Sequence, residues 1–387
     1  MHDASNSRIL LVTNDFGPRA GGIETFVIGL LERMPKGQCI VYASNQGDTS
    51  AYDQQWKEDF GVTVIRDKAK ILLPSPRVAR RVRTLISREA ISHLWFGAAA
   101  PLGLMVPLLR RHGQVRAFAL THGHEVWWAK IPPFSLLMRI IGSSLDGIGY
   151  LTEYTKQEIS KGLRESDRSK LVKIAPGIDT QLFREVDDQA ALDALRHRLG
   201  LEGKRIIISV GRLVHRKGQD RLIESLPKVK QEFPDLHLLM VGTGPHRQHL
   251  DRLVSQLGVE ADVSFVGRLQ LEELPLYLSL AEFFVMPSRD RLAGLEVEGL
   301  GIVYLEASSC SRAVIVGRSG GAPDALKDGE TGLLVDGNDV DAIADACLQL
   351  LRDPGRTREM GRIGRQWVTT YWDWGRWAAE FQAALLR

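Results

Sequence analysis

Arg205-Ile206-Ile207-Ile208-Ser209-Val210-Gly211-Arg212-Leu213-Val214-His215-Arg216-Lys217-Gly218-Gln219-Asp220 decides how the chain folds. A short apolar run ends at a glycine, passes through a basic turn and enters Gly218–Phe233, where apolar residues recur at helical spacing. The run shows no polar alternation, so it predicts a strand buried on both faces of a parallel sheet. The same unit recurs downstream, with strand-like runs at Leu236–Val241, Val263–Val266, Phe283–Met286 and Ala313–Val316. Helical patterns fill the gaps, among them Gly244–Leu257 and Leu271–Leu280. Upstream, Arg8–Val12, Cys39–Ala43, Val62–Ile65, His93–Phe96, Ala117–Thr121 and Gly147–Leu151 repeat the rhythm, with Ile23–Met34 as the first helix.

Pro176-Gly177 breaks the pattern, and Thr180–Asp188 reads as a linker. The expectation is α/β: two doubly wound Rossmann-like domains, residues 1–176 and 177–371, facing a central cleft. Residues 372–387 place Trp374, Trp377, Ala378 and Phe381 at helical spacing, which predicts a C-terminal helix that returns to the first domain. In such sheets ligands bind beyond the carboxyl ends of the strands, so the chemistry is expected in those loops.

The chain has 387 residues, of which 44% are hydrophobic, enough to bury a large core and to exclude a disordered chain. Its 50 Lys+Arg against 47 Asp+Glu leave a net charge of +3, too little to argue for nucleic acid as a partner. Three cysteines, Cys39, Cys310 and Cys347, have no framework spacing, so no disulfide scaffold is expected and a reducing cytoplasm fits. Ile9–Val12 is too short for a signal-peptide core, and no stretch approaches the roughly 18 apolar residues of a membrane span.

Five motifs fall in loops and helix starts between the elements. Asn14-Asp15-Phe16-Gly17-Pro18-Arg19-Ala20-Gly21-Gly22-Ile23 joins a strand to a helix. Its paired glycines allow close backbone approach and its helix start favours an anion, although an ordinary turn reads the same way. Thr121-His122-Gly123-His124-Glu125 is a polar cluster at a strand end. Histidines two apart on extended chain diverge, so a substrate-facing role is preferred to zinc. In Gly211–Asp220 the cations oppose the dipole of the helix they precede, which a bound polyanion between them would explain. Glu298 and Glu306 flank glycines at 299 and 301, with Glu298 before a helix and Glu306 inside it. Both can reach a ligand across that helix end; capping is the plainer alternative. Ser319-Gly320-Gly321-Ala322-Pro323-Asp324 is a further glycine turn before a helix. Asp339-Val340-Asp341 could be taken for a metal-binding pair, but it starts a helix and reads as a cap.

The pair Glu298/Glu306, the segment Gly211-Arg212-Leu213 with Arg216-Lys217-Gly218, and the turn Gly21-Gly22 resemble family 4 of the retaining glycosyltransferases, which have the GT-B fold. Leu11–Phe16, Trp95–Pro101, Thr121–Val126, Val297–Val303 and Ser319–Pro323 resemble the actinobacterial phosphatidylinositol mannosyltransferases that add the second mannose, the PimB-type enzymes. The resemblance implies roles for individual residues. Arg212 and Lys217 hold the donor pyrophosphate, Glu306 the ribose, and Glu298 the transferred sugar beside amides around Gly301, Ile302 and Val303. His122 lies by the reacting centre, Gly21-Gly22 passes near the phosphates, and Val266, Gly267 and Arg268 line the base. Asn14, Asp15 and His124 fall on the acceptor side. It also implies retention at the anomeric carbon, with no metal and no cofactor beyond the sugar nucleotide as substrate. The partners expected are GDP-mannose or another sugar nucleotide, and a phosphatidylinositol-type glycolipid. Cys310-Ser311-Arg312-Ala313-Val314 departs from the Cys-Gly-x-Pro-Val common in relatives, and His215 stands where proline is common.

A glycolipid acceptor implies work at the cytoplasmic face of the cell membrane, bound peripherally. Arg77–Arg88 is a basic amphipathic helix with Arg80, Arg81, Arg83 and Arg88 around it and Val78, Val82, Leu85 and Ile86 towards one side. That pattern reads as a surface for anionic membrane or as a domain helix with a solvated face. Trp127-Trp128 to Phe134 adds an aromatic loop suited to a lipid interface.

Overall fold

The computed structural model describes residues 7–19, 21–110, 115–123 and 125–387. The chain forms two compact units. The first comprises Met1–Gly177 and Trp374–Arg387, the second Ile178–Asp373. The expected limits, 176 and 371, precede these by one and two residues.

In the first unit the strands are β1 Ile9–Thr13, β2 Cys39–Ala43, β3 Thr63–Arg66, β4 His93–Phe96, β5 Arg116–Leu120, β6 Gly147–Tyr150 and β7 Leu171–Lys173. Its helices are α1 Gly22–Leu31, α2 Ser50–Phe60, α3 Pro76–Arg88, α4 Val106–Arg110, α5 Glu125–Lys130, α6 Phe134–Ser144 and α7 Glu153–Gly162. In the second unit the strands are β8 Arg205–Val210, β9 Leu236–Val241, β10 Val263–Gly267, β11 Phe283–Met286, β12 Ala313–Gly317 and β13 Gly332–Val335. Its helices are α8 Gln189–Leu199, α9 Gln219–Glu232, α10 Arg247–Gln256, α11 Leu274–Leu280, α12 Ile302–Ser309, α13 Val340–Arg352 and α14 Pro354–Tyr371. Helix α15, Trp374–Leu386, belongs to the first unit.

The sheets run β3-β2-β1-β4-β5-β6-β7 and β10-β9-β8-β11-β12-β13, with all pairings parallel. Both reverse direction beside their first strand, the topological switch where such sheets bind ligands. Strands β1, β2, β4, β9, β11 and β12 are buried along their whole length, as their unbroken apolar runs require. Helix α15 packs through Trp377, Ala378 and Phe381, which are at most 4% exposed. The Phe381 ring lies 4.6 Å from Trp95 and 5.8 Å from Phe118. Trp374 fills the space over Gly29 and Gly177, where added Cβ atoms would lie 2.4 Å from it.

Elements that escaped the sequence reading include β7 and β13, both short edge strands, α8, where only Leu195 is buried, and α14. Helix α10 starts later than expected because Gly244-Pro245-His246 is loop. Among the described residues no helix is long and apolar enough to cross a membrane. All three cysteines are free and buried.

The apolar side of α3 is spent on the sheet: Val78, Ala79, Val82 and Leu85 are at most 1% exposed within the first core. Of the two readings of this helix, the packing of its apolar side fits a domain helix with a solvated face. Arg77 is engaged as well, both guanidinium nitrogens donating to Asp67 at 2.8 and 2.7 Å. The same carboxylate accepts from the Tyr42 hydroxyl, and these bonds hold it well below the usual range. Trp127, Trp128 and Phe134 pack on one another with ring centres 4.8–5.4 Å apart and are half-buried. Exposed apolar side chains nearby include Ile131, Leu136 and Ile140, and those preceding α3 are Ile71 and Leu73.

Candidate active site

In the second unit, Gly211 and Gly242 follow β8 and β9 directly and Gly267 closes β10, all with positive φ. Their backbones are laced in sheet order, Gly211 N–H donating to Val241 at 2.9 Å and Gly242 N–H to Gly267 at 2.7 Å. A Cβ on Gly242 would lie 2.0 Å from the Gly211 carbonyl, so only glycine lets these ends close up. Val266 and Gly267 are half-buried at the end of β10, and Arg268 is exposed just beyond.

The turn after β8 aims the cations. Residues His215–Lys217 form one 3₁₀ turn, and Gly218 follows at φ 73° as the residue before α9. A Cβ there would sit 1.9 Å from the Pro287 carbonyl oxygen, so the chain can reverse only at glycine. The reversal buries Lys217, whose Nζ lies 2.9 Å from Glu298 Oε2. Arg216 Nε is 3.6 Å from the same oxygen. Arg212 is exposed, and its guanidinium is free of ion pairs among the described residues.

Glu298 is fixed by the fifth motif. Its N–H donates to Ser319 Oγ at 3.0 Å, and its carbonyl accepts from Gly321 N–H at 2.8 Å. Ser319 in turn donates to Asp290 at 2.8 Å, and Gly320 N–H donates to the same oxygen at 3.0 Å. Gly320 has φ 47°, and a Cβ would meet the Glu298 carbonyl at 2.4 Å. Ser319 and Asp290 were absent from the expected site. The glycine pair was the sequence signal for the first; Asp290 carried none.

Gly301 at φ 78° precedes α12, which opens with Ile302 and Val303, both half-buried. A Cβ on Gly301 would strike the Tyr304 ring at 2.4 Å. Tyr304 is buried and its hydroxyl donates to the Met286 carbonyl at 2.7 Å, tying α12 to the end of β11. Glu306 sits one turn into the helix. Desolvation pushes its carboxyl up to about 7, opposed by the positive charge of Lys217. The structure therefore brings Lys217, Glu298, Gly301 and Glu306 together at the switch point between β8 and β11. Asp339 is not among them: its carboxylate accepts from Ala342 N–H at 3.0 Å as a helix cap, and Asp341 pairs with Lys228 at 2.9 Å.

The other expected residues form a separate arrangement in the first unit. His122 Nε2 lies 2.5 Å from the Gly97 carbonyl, just past the end of β4, and its ring stands edge-on to Phe26 of α1. The backbone N–H of His122 donates to the Glu125 carboxylate at 2.9 Å. Gly21 precedes α1, and a Cβ there would lie 2.3 Å from the Glu24 carboxylate; Gly22 is exposed with open space around it. Asn14 spends both ends of its amide on the Leu72 backbone, accepting at 2.7 Å and donating at 3.1 Å. Asp15 is half-buried, its N–H donating to Thr13 Oγ1 at 2.9 Å. Ala20 and His124 lie outside the described residues.

Known proteins share this framework. The family model described as "Glycosyl transferases group 1" matches residues 193–367, and that described as "Glycosyltransferase Family 4" matches residues 20–182. A GDP-mannose-dependent alpha-(1-6)-phosphatidylinositol monomannoside mannosyltransferase of Mycolicibacterium smegmatis is 43% identical over 95% of either chain. A protein of the same description from Mycobacterium tuberculosis is 41% identical over 97% of either chain. Among solved structures, Anabaena Alr3699/HepE in complex with UDP matches with TM-score 0.80 at 17% identity, covering 98% of this chain and 99% of that one. Sucrose-phosphate synthase from Thermosynechococcus elongatus matches at 0.77 with 22% identity over 98% of either chain. The structural likeness speaks for the fold alone, whereas identity above 40% along almost the whole chain speaks for common descent. The protein belongs to the family 4 glycosyltransferases and has the GT-B fold.

Proposed function

We propose that the protein transfers mannose from GDP-mannose to a phosphatidylinositol monomannoside, adding the second mannose with retention at the inner face of the cell membrane. The observation that carries this is the 43% identity, over 95% of both chains, with the Mycolicibacterium smegmatis enzyme of that donor and acceptor class. The local geometry supports it. A buried ammonium and an exposed guanidinium, Lys217 and Arg212, stand on the turn at the switch point. Fixed cations there stabilise the charge that grows on a departing pyrophosphate. The Lys217 ammonium has three donors, so it can keep Glu298 and still grip a phosphate.

In this reading Glu298 holds hydroxyls of the transferred mannose and Glu306 those of the ribose, while Val266, Gly267 and Arg268 flank the base. The leaving phosphate takes the acceptor proton, so no side chain serves as general base and no metal takes part. His122 stands by the reacting centre, and Gly21-Gly22 passes near the phosphates. Asp15 offers a carboxylate on the acceptor side, and Asn14 acts by holding the Leu72 backbone.

The test measures ligand-induced melting shifts for GDP-mannose, UDP-glucose and UDP-N-acetylglucosamine. Transfer of labelled mannose to purified phosphatidylinositol monomannoside follows. A shift confined to the guanosine donor and a dimannoside product are expected. Stabilisation by a uridine donor alone would replace the donor; a GDP-mannose shift without lipid product would replace the acceptor.

A further inference from the structure

A cluster in the second unit has no part in the proposed transfer. His215 stands in the turn after β8, Asp220 in the first turn of α9, His246 immediately before α10 and His249 within its first turn. The ring centres of His215 and His246 are 3.6 Å apart, and those of His246 and His249 are 4.5 Å apart. One ligand atom each from His215, Asp220 and His246 lie within 4.8 Å of one another, a grouping with no second example among the described residues.

Two further features mark it as built. His246 is 4% exposed, and its Nε2 is buried without a hydrogen-bond partner. Buried polar atoms are nearly always satisfied, so an orphaned imidazole nitrogen beside a second imidazole calls for a ligand. The loops carrying the cluster are also joined through their backbones. Leu213 N–H donates to Thr243 at 3.0 Å and His246 N–H to Leu213 at 3.0 Å. A Cβ on Gly244 would lie 2.3 Å from the Leu213 carbonyl, so the two loops are pressed together and the histidines are held in register.

We propose that His215, His246 and Asp220, with His249 adjacent, bind one divalent transition-metal ion of the zinc class. Imidazole and carboxylate are ligands such ions prefer. Metal–nitrogen bonds of about 2.0–2.1 Å bring tetrahedral ligand atoms to about 3.3 Å from one another, which side-chain rotation can reach from the observed spacing. Arg289 donates to both Asp220 oxygens, at 2.9 and 2.6 Å. Each oxygen keeps a lone pair, so Arg289 orients the carboxylate for the ion while its charge tempers the affinity. The ion would pin the turn that carries Lys217 to the start of α10. No step of transfer passes through it, and the site stands whichever donor the enzyme uses.

The metal-stripped full chain is titrated with zinc chloride by calorimetry and with cobalt(II) chloride by visible absorption. One saturable equivalent of zinc per chain is expected, together with the visible bands of low-coordinate cobalt. Both should weaken at least tenfold in His215→Ala, an exposed position where truncation leaves the fold intact, and in His246→Gln. His237→Gln, in a buried histidine elsewhere in the unit, should bind as the parent does. Circular dichroism melts without metal separate lost ligation from lost fold in His246→Gln. Absence of saturable binding, or binding retained in His215→Ala, would overturn the site.

Discussion

Replacing Lys217 with methionine keeps most of the side chain and removes the ammonium. The side chains of Lys217 and Glu298 are 10% and 8% exposed, and their 2.9 Å contact is the closest charge pair in the candidate site. Removing one member of a buried pair strands the other, at about 3–5 kcal/mol. Arg216, 3.6 Å from the same oxygen, offsets part of this. A loss of about 2–3 kcal/mol is therefore expected, which for a unit of this size lowers Tm by about 4–12 °C. If Lys217 also meets the departing phosphate, a charge-assisted bond of about 1.5–3 kcal/mol disappears from the transition state. That is a fall of roughly ten- to more than hundredfold in kcat/KM. Adding Glu298→Gln removes the stranded charge, so the double variant should regain most of the lost Tm and none of the turnover. Calorimetric melts and steady-state transfer on the same preparations measure both effects. Near-parental kcat/KM in Lys217→Met, or turnover returning together with Tm in the double variant, would refute the phosphate role.

Glu306 gives a pH test. Its folded pKa, about 7, exceeds the ordinary carboxyl value, so its contribution to stability is complete below about 4.3 and is lost as pH rises through 7. Glu306→Gln should therefore raise Tm relative to the parent at pH 8 and lose that advantage at pH 5; a gap of the opposite sign would refute the desolvated setting. Ser311 has φ 58°, a conformation glycine adopts without strain, and Ser311→Gly should gain about 1 kcal/mol, read from chemical denaturation. Glu306→Ala should reduce turnover severely with the fold retained, and near-parental kinetics would count against a ribose contact. Transfer should survive EDTA; loss with EDTA and recovery with manganese would overturn the cationic clamp.

How legible these features were depended on how locally their determinants are written. Strands such as β8 and β11 were readable to the residue, because a strand covered on both faces needs an unbroken apolar run between breakers. Edge strands β7 and β13 need no such run, and α8 buries one side chain, so neither period nor hydrophobicity announced them. The basic turn and Glu298 stood out because glycines at 218, 301 and 320 mark places where the backbone must take positive φ. The Ser319–Asp290 support was not readable, since hydroxyl and carboxylate come from separate loops and meet only after folding. The histidine cluster was hidden for the same reason: α9 and β9 separate His215 from His246 in sequence, while two backbone hydrogen bonds join their loops in space.

An amphipathic period tells that a helix has an apolar side and leaves open what covers it. For α3 the cover is the sheet, because Val78, Ala79, Val82 and Leu85 are part of the core. Insertion of that side into a bilayer would require unfolding the first unit. The opposite side remains: Arg80 and Arg81 are exposed and Arg83 is half-buried, while Arg77 is committed to Asp67. Any attraction to an anionic membrane through α3 is therefore Coulombic, with exposed Ile71 and Leu73 just ahead of the helix adding apolar contact. Each arginine near such a surface contributes about 1 kcal/mol, so changing Arg80, Arg81 and Arg83 to serine should weaken partitioning by up to about a hundredfold at low salt. The effect should shrink as the Debye length falls from about 10 Å at 0.1 M salt to about 3 Å at 1 M. Flotation with phosphatidylinositol-rich vesicles reads this directly, since parent and variant should converge as salt rises. Equal recovery on neutral and anionic vesicles, or a triple variant that floats like the parent at low salt, would remove α3 from the membrane surface and leave the transferase assignment untouched.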